Sequence, residues 1–544
     1  MGNEENLKMR FSTIHSLKKF FPDDVPQEET KRGIAFENER HHFQLYCYSD
    51  KILFHCSLKV KGDIEKCVTV RKVDVVPVYL ANYDVRDDYV LSTKTGLYPD
   101  VLSPIENGKI TVVAEKTTTF WVTVEGDLPV GEHTLQFELF DENGVCFAET
   151  SYQLNVMPKR LPKADIFVST WIHYDCLCAK SRVKFCSKEF YKVLDNTLDV
   201  YVKSGNNAIY VPIFTEAEVR NTKTQRPILQ LIDIVFENGA YCFDFTRFDE
   251  FIKFCDTRGV EYFEFSHLFT QEGAKYPPEI LIKKGKRTVK GFGFLNEDAE
   301  KKYLDFLEEF LTAFVKHLKA LGIGKRCYFH LSDEPRKEDL EQYKRLYLFV
   351  KKILGEYKII DALSNYEFVE EGCIDVPFVK NMYAGDFIGK NAPFGVYYCC
   401  GQNRNYVSNR YLSMPSLRNR ILGYQLYLNR AYGFLHWGFN YYYTERSERE
   451  VDPYRETDAG CAYPSGDAFI VYPVKDGYLN SLRGEVFGDA IQDYRSLLLL
   501  EEKIGRDAVV AILKEYGLSG YTDYPRDDLK FLQIRERIYS EITK

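Results

Sequence analysis

Residues 299–335 read AEKKYLDFLEEFLTAFVKHLKALGIGKRCYFHLSDEP. Leu304, Leu307, Leu311, Phe314, Leu318 and Leu321 recur three or four residues apart, which puts them on one stripe of an α-helix. The segment 327–331 is then a short apolar strand. It runs directly into Asp333 and Glu334, and Pro335 prevents the ladder from continuing. A helix, a strand and two acids at the strand end make one unit of an α/β architecture, with its chemistry at the end of the strand. The same residues also read as a helix start, with Ser332 or Asp333 as cap and Glu334 near the positive end of the helix dipole.

Working outward, residues 337–354 repeat the helical period, with Glu338 and Asp339 in the first turn. Further apolar strand candidates lie at 166–171, 208–212, 260–265, 359–363, 378–382, 396–399 and 433–439, with helical candidates between most of them. Eight strands alternating with helices over ~330 residues predict a (β/α)₈ barrel, with a doubly wound sheet as the alternative. Upstream the texture changes. Short alternating runs at 43–48, 52–58, 119–124 and 133–139 are separated by turn clusters such as Glu106-Asn-Gly-Lys109 and Asp141-Glu-Asn-Gly144, a pattern that predicts a β-sandwich. Met157-Pro-Lys-Arg-Leu-Pro-Lys163 reads as a domain boundary. The amphipathic patch of Phe11, Ile14, Leu17, Phe20 and Phe21 reads as a short helix or arm. The expected chain is a multidomain α and β protein. It has an N-terminal arm (1–33), a β-sandwich (34–158), a catalytic (β/α)₈ barrel (165–490) and a helical C-terminal segment (491–544).

Composition narrows the function classes. Basic and acidic residues, 72 and 80, are interspersed along the chain, so no polybasic footprint for nucleic acid is present. No run of ~18 uncharged apolar residues offers a membrane span. The start of the chain, Met1-Gly-Asn-Glu-Glu-Asn-Leu-Lys-Met-Arg10, lacks an apolar signal core, which points to the cytoplasm and to cysteines that stay reduced. The pairs Cys176/Cys178 and Cys399/Cys400 do not have zinc spacing, so no metal or organic cofactor is expected. Gly291-Phe-Gly293 lacks the third glycine of a dinucleotide site. The 40 Tyr and 39 Phe supply core area and, at a site, platforms for the flat faces of sugars.

Adjacent carboxylates are unusual for a glycosidase whose two acids flank the scissile bond, because such acids commonly come from different strands. Neighbours in sequence can instead approach one sugar together, one at the leaving oxygen and one at a ring substituent. That geometry suits cleavage in which a 2-acetamido carbonyl is the nucleophile. Trp171 ends strand one and Trp437 lies in strand eight; these strands are neighbours once a barrel closes, so both rings are candidates to line one mouth. Trp437 reads either as a stacking surface or as core. His173 and Asp175 after strand one are candidate rim ligands, and Asn207 before strand two and His267 after strand three are candidates to hold sugar hydroxyls.

The ordered series 396–399, 418–427 and Gly433-Phe-Leu-His-Trp-Gly-Phe-Asn440 continues through Gly460, Tyr463-Pro464, Val471-Tyr-Pro473, Ser481-Leu-Arg483 and Gly488-Asp-Ala-Ile-Gln-Asp-Tyr494. Together with Asp333-Glu334, this series resembles glycoside hydrolase family 123, the exo-β-N-acetylgalactosaminidases, whose layout also joins a sandwich to a barrel. The resemblance implies a retaining, exo-acting enzyme that removes terminal β-GalNAc from oligosaccharides or glycolipid-derived glycans. Asp333 would orient the acetamide; Glu334 would protonate the leaving oxygen and then activate water against an oxazoline. Desolvation and the Asp333 charge are expected to keep Glu334 protonated. Tyr383 after strand six, or Tyr398 at the end of strand seven, would hydrogen-bond the acetamide carbonyl. The sequence departs from the family where Tyr397-Tyr398 and Tyr441-Tyr-Tyr443 stand in places that often hold tryptophan. The alternatives are a β-GlcNAc-specific hexosaminidase and a non-catalytic carbohydrate-binding protein.

Overall fold

The computed structural model describes residues 8–215, 226–270, 273–293 and 297–544. The barrel consists of β1 (Phe167–Thr170), β2 (Ala208–Val211), β3 (Tyr262–Phe265), β4 (Cys327–Phe329), β5 (Lys358–Ala362), β6 (Val376–Lys380), β7 (Gly395–Tyr397) and β8 (Gly433–His436). All are parallel, their spatial order is their chain order, and β8 pairs back onto β1. Each of the eight expected strands is present. The closing seam is tight: a Cβ on Gly433 would lie 2.4 Å from the carbonyl oxygen of Phe167, so only glycine lets the two backbones meet there.

Side chains alternate along each strand, and one parity fills the barrel. Phe167, Tyr210, Tyr328, Ile360, Phe378 and Leu435 form the apolar floor. The other parity faces the surrounding helices, including α1 (Glu297–Leu321) and α2 (Leu340–Leu354). Leu307, Leu311, Phe314 and Leu318 of the expected stripe of α1 are fully buried, joined by Phe306 and Phe310, whereas Leu304 is half-buried and Leu321, at the helix end, is exposed.

The N-terminal region is rich in strands and forms two five-stranded sheets. Phe43, Leu45 and Phe120 of one sheet share a core with Leu135, Phe137 and Leu154 of the other. The expected arm is replaced by sheet. Met9–His15 pairs antiparallel with His41–Ser49, and its residues 12–15 are all buried there. Arg32–Phe36 pairs with the strand Cys146–Met157. No linker marks residue 490, since a continuous helix, α3 (Leu482–Ile504), runs through it. A four-stranded sheet built from Asp233–Glu237, Ala240–Asp244, Glu279–Lys284 and Arg287–Phe292 was not foreseen. It interrupts the strand–helix alternation around β3 and takes in Gly291 and Phe292, with Gly293 just beyond its last strand.

Buried ion pairs tie the N-terminal region to the barrel. Asp100 receives Arg483 of α3 at 2.8 Å, and Asp87 receives Arg418 at 2.7 Å. Breaking one such pair leaves an uncompensated buried charge, at a cost of about 3–5 kcal/mol. These pairs fix the strand-rich region against the barrel.

Candidate active site

Beyond β4 the chain presents Asp333 and Glu334 at the C-terminal mouth of the barrel, where the strand ends open to solvent. Two groups on the next strand fix this turn. Asp361 accepts the backbone N–H of Leu331 at 3.0 Å and of Ser332 at 3.1 Å, and the Ala362 carbonyl accepts the N–H of Glu334 at 2.9 Å. Glu334 itself has φ +41°, in the left-handed region that a side-chain-bearing residue enters only when its surroundings impose it. This strained backbone directs the two neighbouring carboxyls into one cavity of about 300 Å³.

The cavity wall is aromatic. Trp171, Tyr397, Trp437, Tyr441 and Tyr463 all line it. Trp437 meets Tyr441 edge-on at 5.0 Å and Tyr463 at 5.4 Å, and its indole N–H donates to Asp467 at 3.2 Å. Burial pushes the Asp467 carboxyl up to about 7, with Arg410 and the Trp437 N–H opposing. The Tyr397 hydroxyl donates to Glu334 Oε1. Burial, reinforced by the Glu334 charge, raises the Tyr397 pKa well above that of a free phenol, so it stays a neutral donor. Lys380, at the end of β6, lies 3.4 Å from Glu334. Burial works against the Lys380 charge, but the Glu334 carboxylate outweighs it and its pKa is raised.

The family description Glycoside hydrolase 123, catalytic domain, matches residues 171–500, more than half of the chain and the whole of this cavity. The chain belongs to glycoside hydrolase family 123. Among solved structures, a family 123 glycoside hydrolase from Clostridium perfringens, described in a study of glycolipid glycan hydrolysis, is similar over 98% of this chain and 97% of its own. Its TM-score is 0.75 at 14% identity, a likeness of fold. The β-glucuronidase 3 of Bacteroides uniformis aligns with 90% of this chain and 51% of its own, at 10% identity and a TM-score of 0.32. No curated protein sequence matches.

In this family 123 chain the expected site residues divide into three groups. Asp333, Glu334, Trp171 and Trp437 line the cavity together. His173 and Asp175 lie one step behind its wall. His173 Nε2 is 2.8 Å from the Trp437 carbonyl, and Asp175 holds Arg226 through two contacts of 2.7 and 2.8 Å. Arg226 in turn sits 5.5 Å over the ring of Tyr441, so this pair supports the wall and does not line it.

The remaining expectations need correction. Asn207 precedes β2 and so belongs to the opposite end of the barrel; its amide bonds Val168 N at 2.9 Å and Ile166 O at 2.8 Å, pinning β1. His267 is fully buried beneath the cavity, stacked on His330 at 4.3 Å. Tyr398 has the outward parity: it is buried against the helical layer and donates to Asn419 at 2.9 Å. The tyrosine of β7 that reaches the cavity is Tyr397. Tyr383 lines a second, open cleft beside it. The Glu334 side chain is partly desolvated, 45% exposed where the cavity opens.

Beneath the two acids lies a buried polar layer that was not foreseen. His330 stands between Glu264, 2.5 Å from Nε2, and Asp361, 3.0 Å from Nδ1. Glu264 also accepts the indole N–H of Trp171 at 2.8 Å, and Asp361 also accepts the Tyr343 hydroxyl. His267, His330 and Asp361 bring ligand-type atoms within 4.8 Å of one another. Both ring nitrogens of His330 are already engaged by carboxylates, however, which fits an imidazolium held between two acids better than a cation site. Burial opposes that charge, but the bonds to Asp361 and Glu264 outweigh it and raise the His330 pKa to about 9. A folded-state pKa raised above 6.5 contributes stability that is complete below pH 6.5 and is lost as pH rises through about 9. Between pH 6.5 and 9.5, wild type is therefore expected to lose more melting temperature than His330→Gln. Equal losses would show that the imidazolium is not formed.

Proposed function

We propose that the protein is a retaining, exo-acting β-N-acetylgalactosaminidase that removes terminal β-GalNAc by substrate-assisted catalysis. The observation that carries this reading is that two adjacent carboxyls, Asp333 and Glu334, line one aromatic-walled cavity at the barrel mouth. Asp333 is 7% exposed and lies within the cavity, whereas Glu334 lies at its open side. This difference suits two roles on a single sugar.

In the first step the acetamide carbonyl oxygen attacks the anomeric carbon. The bond to the leaving oxygen breaks with its electron pair, and Glu334 transfers a proton to that oxygen. Asp333 holds the acetamide N–H and balances the positive charge that develops as the oxazolinium ring closes. In the second step the Glu334 carboxylate takes a proton from water, the water oxygen bonds to the same carbon, and the ring reopens to acetamide. Two inversions give net retention. The indole of Trp437, held by Asp467 and boxed by Tyr441 and Tyr463, is the surface for the apolar face of the sugar. Tyr397, whose hydroxyl lines the cavity and donates to Glu334, takes the acetamide-binding role expected for Tyr383 or Tyr398. Glycolipid-derived glycans are the substrate class suggested by the description of the Clostridium perfringens relative.

The reading is tested by hydrolysis of chromogenic β-GalNAc and β-GlcNAc substrates by the purified protein. Turnover of the GalNAc substrate is expected to exceed that of its epimer, and the first-formed sugar should be the β-anomer by proton NMR. An α-anomer as first product would exclude the oxazoline route.

A further inference from the structure

Two cavities meet at Glu334. One holds Asp333, Trp171 and Trp437; the other is a more open cleft of about 780 Å³. They share Glu334, Arg336, Ala362 and Tyr397. Lys380 lines only the cleft, yet its ammonium lies 3.4 Å from the Glu334 carboxylate, so the acid is approached from both sides. A general acid protonates the oxygen that joins the cleaved sugar to its leaving group, and so must stand at the boundary between their two sites. With the cleaved sugar in the aromatic cavity, the leaving group has to occupy the cleft.

We infer that this cleft is the leaving-group subsite, and that Tyr383 is the platform on which the first sugar of the leaving glycan stacks. The inference rests on the reading of Glu334 as the general acid. Tyr383 follows β6 in the turn Asn381–Asp386 and is 46% exposed on the wall of the cleft. A large aromatic surface left open in a polar concavity is placed to receive an apolar face. Ser364, Asn365 and Asp386 on the same walls supply hydrogen-bonding groups for hydroxyls around such a ring. The ligand class is a hexose with one face of C–H groups, carried at the reducing side of the cleaved bond.

The test compares kcat/KM for a β-GalNAc–hexose disaccharide with kcat/KM for β-GalNAc azide, whose leaving group is too small to reach Tyr383. In Tyr383→Ala the disaccharide-to-azide ratio is expected to fall about fivefold to tenfold, the scale of one aromatic contact. Tyr383→Phe, which keeps the ring, is expected to restore the ratio. The ring is exposed, so truncation leaves the fold intact, and azide turnover reports the folded enzyme. An unchanged ratio in Tyr383→Ala, with both substrates still cleaved, overturns the subsite and leaves the proposed activity standing. Failure of wild type to cleave either substrate overturns both.

Discussion

Replacing Glu334 with Gln is expected to lower kcat/KM on a β-GalNAc disaccharide by about 10²–10⁴-fold, the usual contribution of a positioned proton donor. Gln keeps the shape of the side chain and an oxygen that accepts from Tyr397, so the local fold should survive. It has no proton to give a sugar alkoxide and no basic site for water. The two losses separate by substrate. An aryl glycoside departs without a proton, so its first step survives and the oxazoline waits for a nucleophile. Added azide needs no base to attack the anomeric carbon. Azide is therefore expected to accelerate turnover of the aryl substrate by the variant and to yield β-GalNAc azide, while leaving wild type largely unaffected. A Glu334→Gln enzyme with wild-type rates on the disaccharide would remove Glu334 from the mechanism.

Most of the barrel was legible because each strand is a short apolar run and the two helices flanking β4 carry a 3.6-residue apolar period. The acids were legible because an apolar strand runs straight into Asp333-Glu334-Pro335; the helix-start reading fails, since the next helical turn begins at Lys337 with Arg336, not Ser332 or Asp333, at its cap. The lining was partly legible, and Tyr398 marks its limit. Tyr397 is in register with Leu435 on the neighbouring strand, and Leu435 shares its parity with Trp437. Residues paired across parallel strands face the same side, so assigning Trp437 to the cavity already required Tyr397, not Tyr398, to face inward. The same parity places His330 inward from Tyr328 on β4, and Glu264 inward on β3. Asn207 could have been excluded by its position before a strand.

Other features had no local signal. Lys380 meets Glu334, and Arg226 reaches Asp175, only through contacts between residues distant in sequence. The sheet around Asp233–Glu237 reads as an irregular insertion, because its strands pair partly across a gap of more than forty residues. The N-terminal strand Met9–His15 was masked by aromatic residues just beyond it, Phe20 and Phe21, whose spacing imitates a helical face.

Asp333→Asn is expected to reduce kcat by about 10²–10³-fold, the range seen when one preorganised stabiliser of developing charge is removed. The change is nearly isosteric and the side chain sits inside the cavity, so what is lost is charge and acceptor strength toward the acetamide N–H. The closing oxazolinium ring spreads positive charge over that nitrogen, and a neutral amide cannot balance it. The loss should therefore fall on kcat more than on KM, since an amide oxygen can still accept a hydrogen bond from the ground-state acetamide. GalNAc-thiazoline resembles the cyclised intermediate, so its affinity should fall with the rate, and its thermal stabilisation of wild type should largely vanish in the variant. A fluorinated acetamide separates this role from that of a protein nucleophile. Wild type should be slowed steeply by a trifluoroacetamido substrate, because the attacking oxygen belongs to the sugar. If Asp333 were itself the nucleophile, fluorination would leave its attack largely intact, and Asp333→Asn would keep its affinity for the thiazoline.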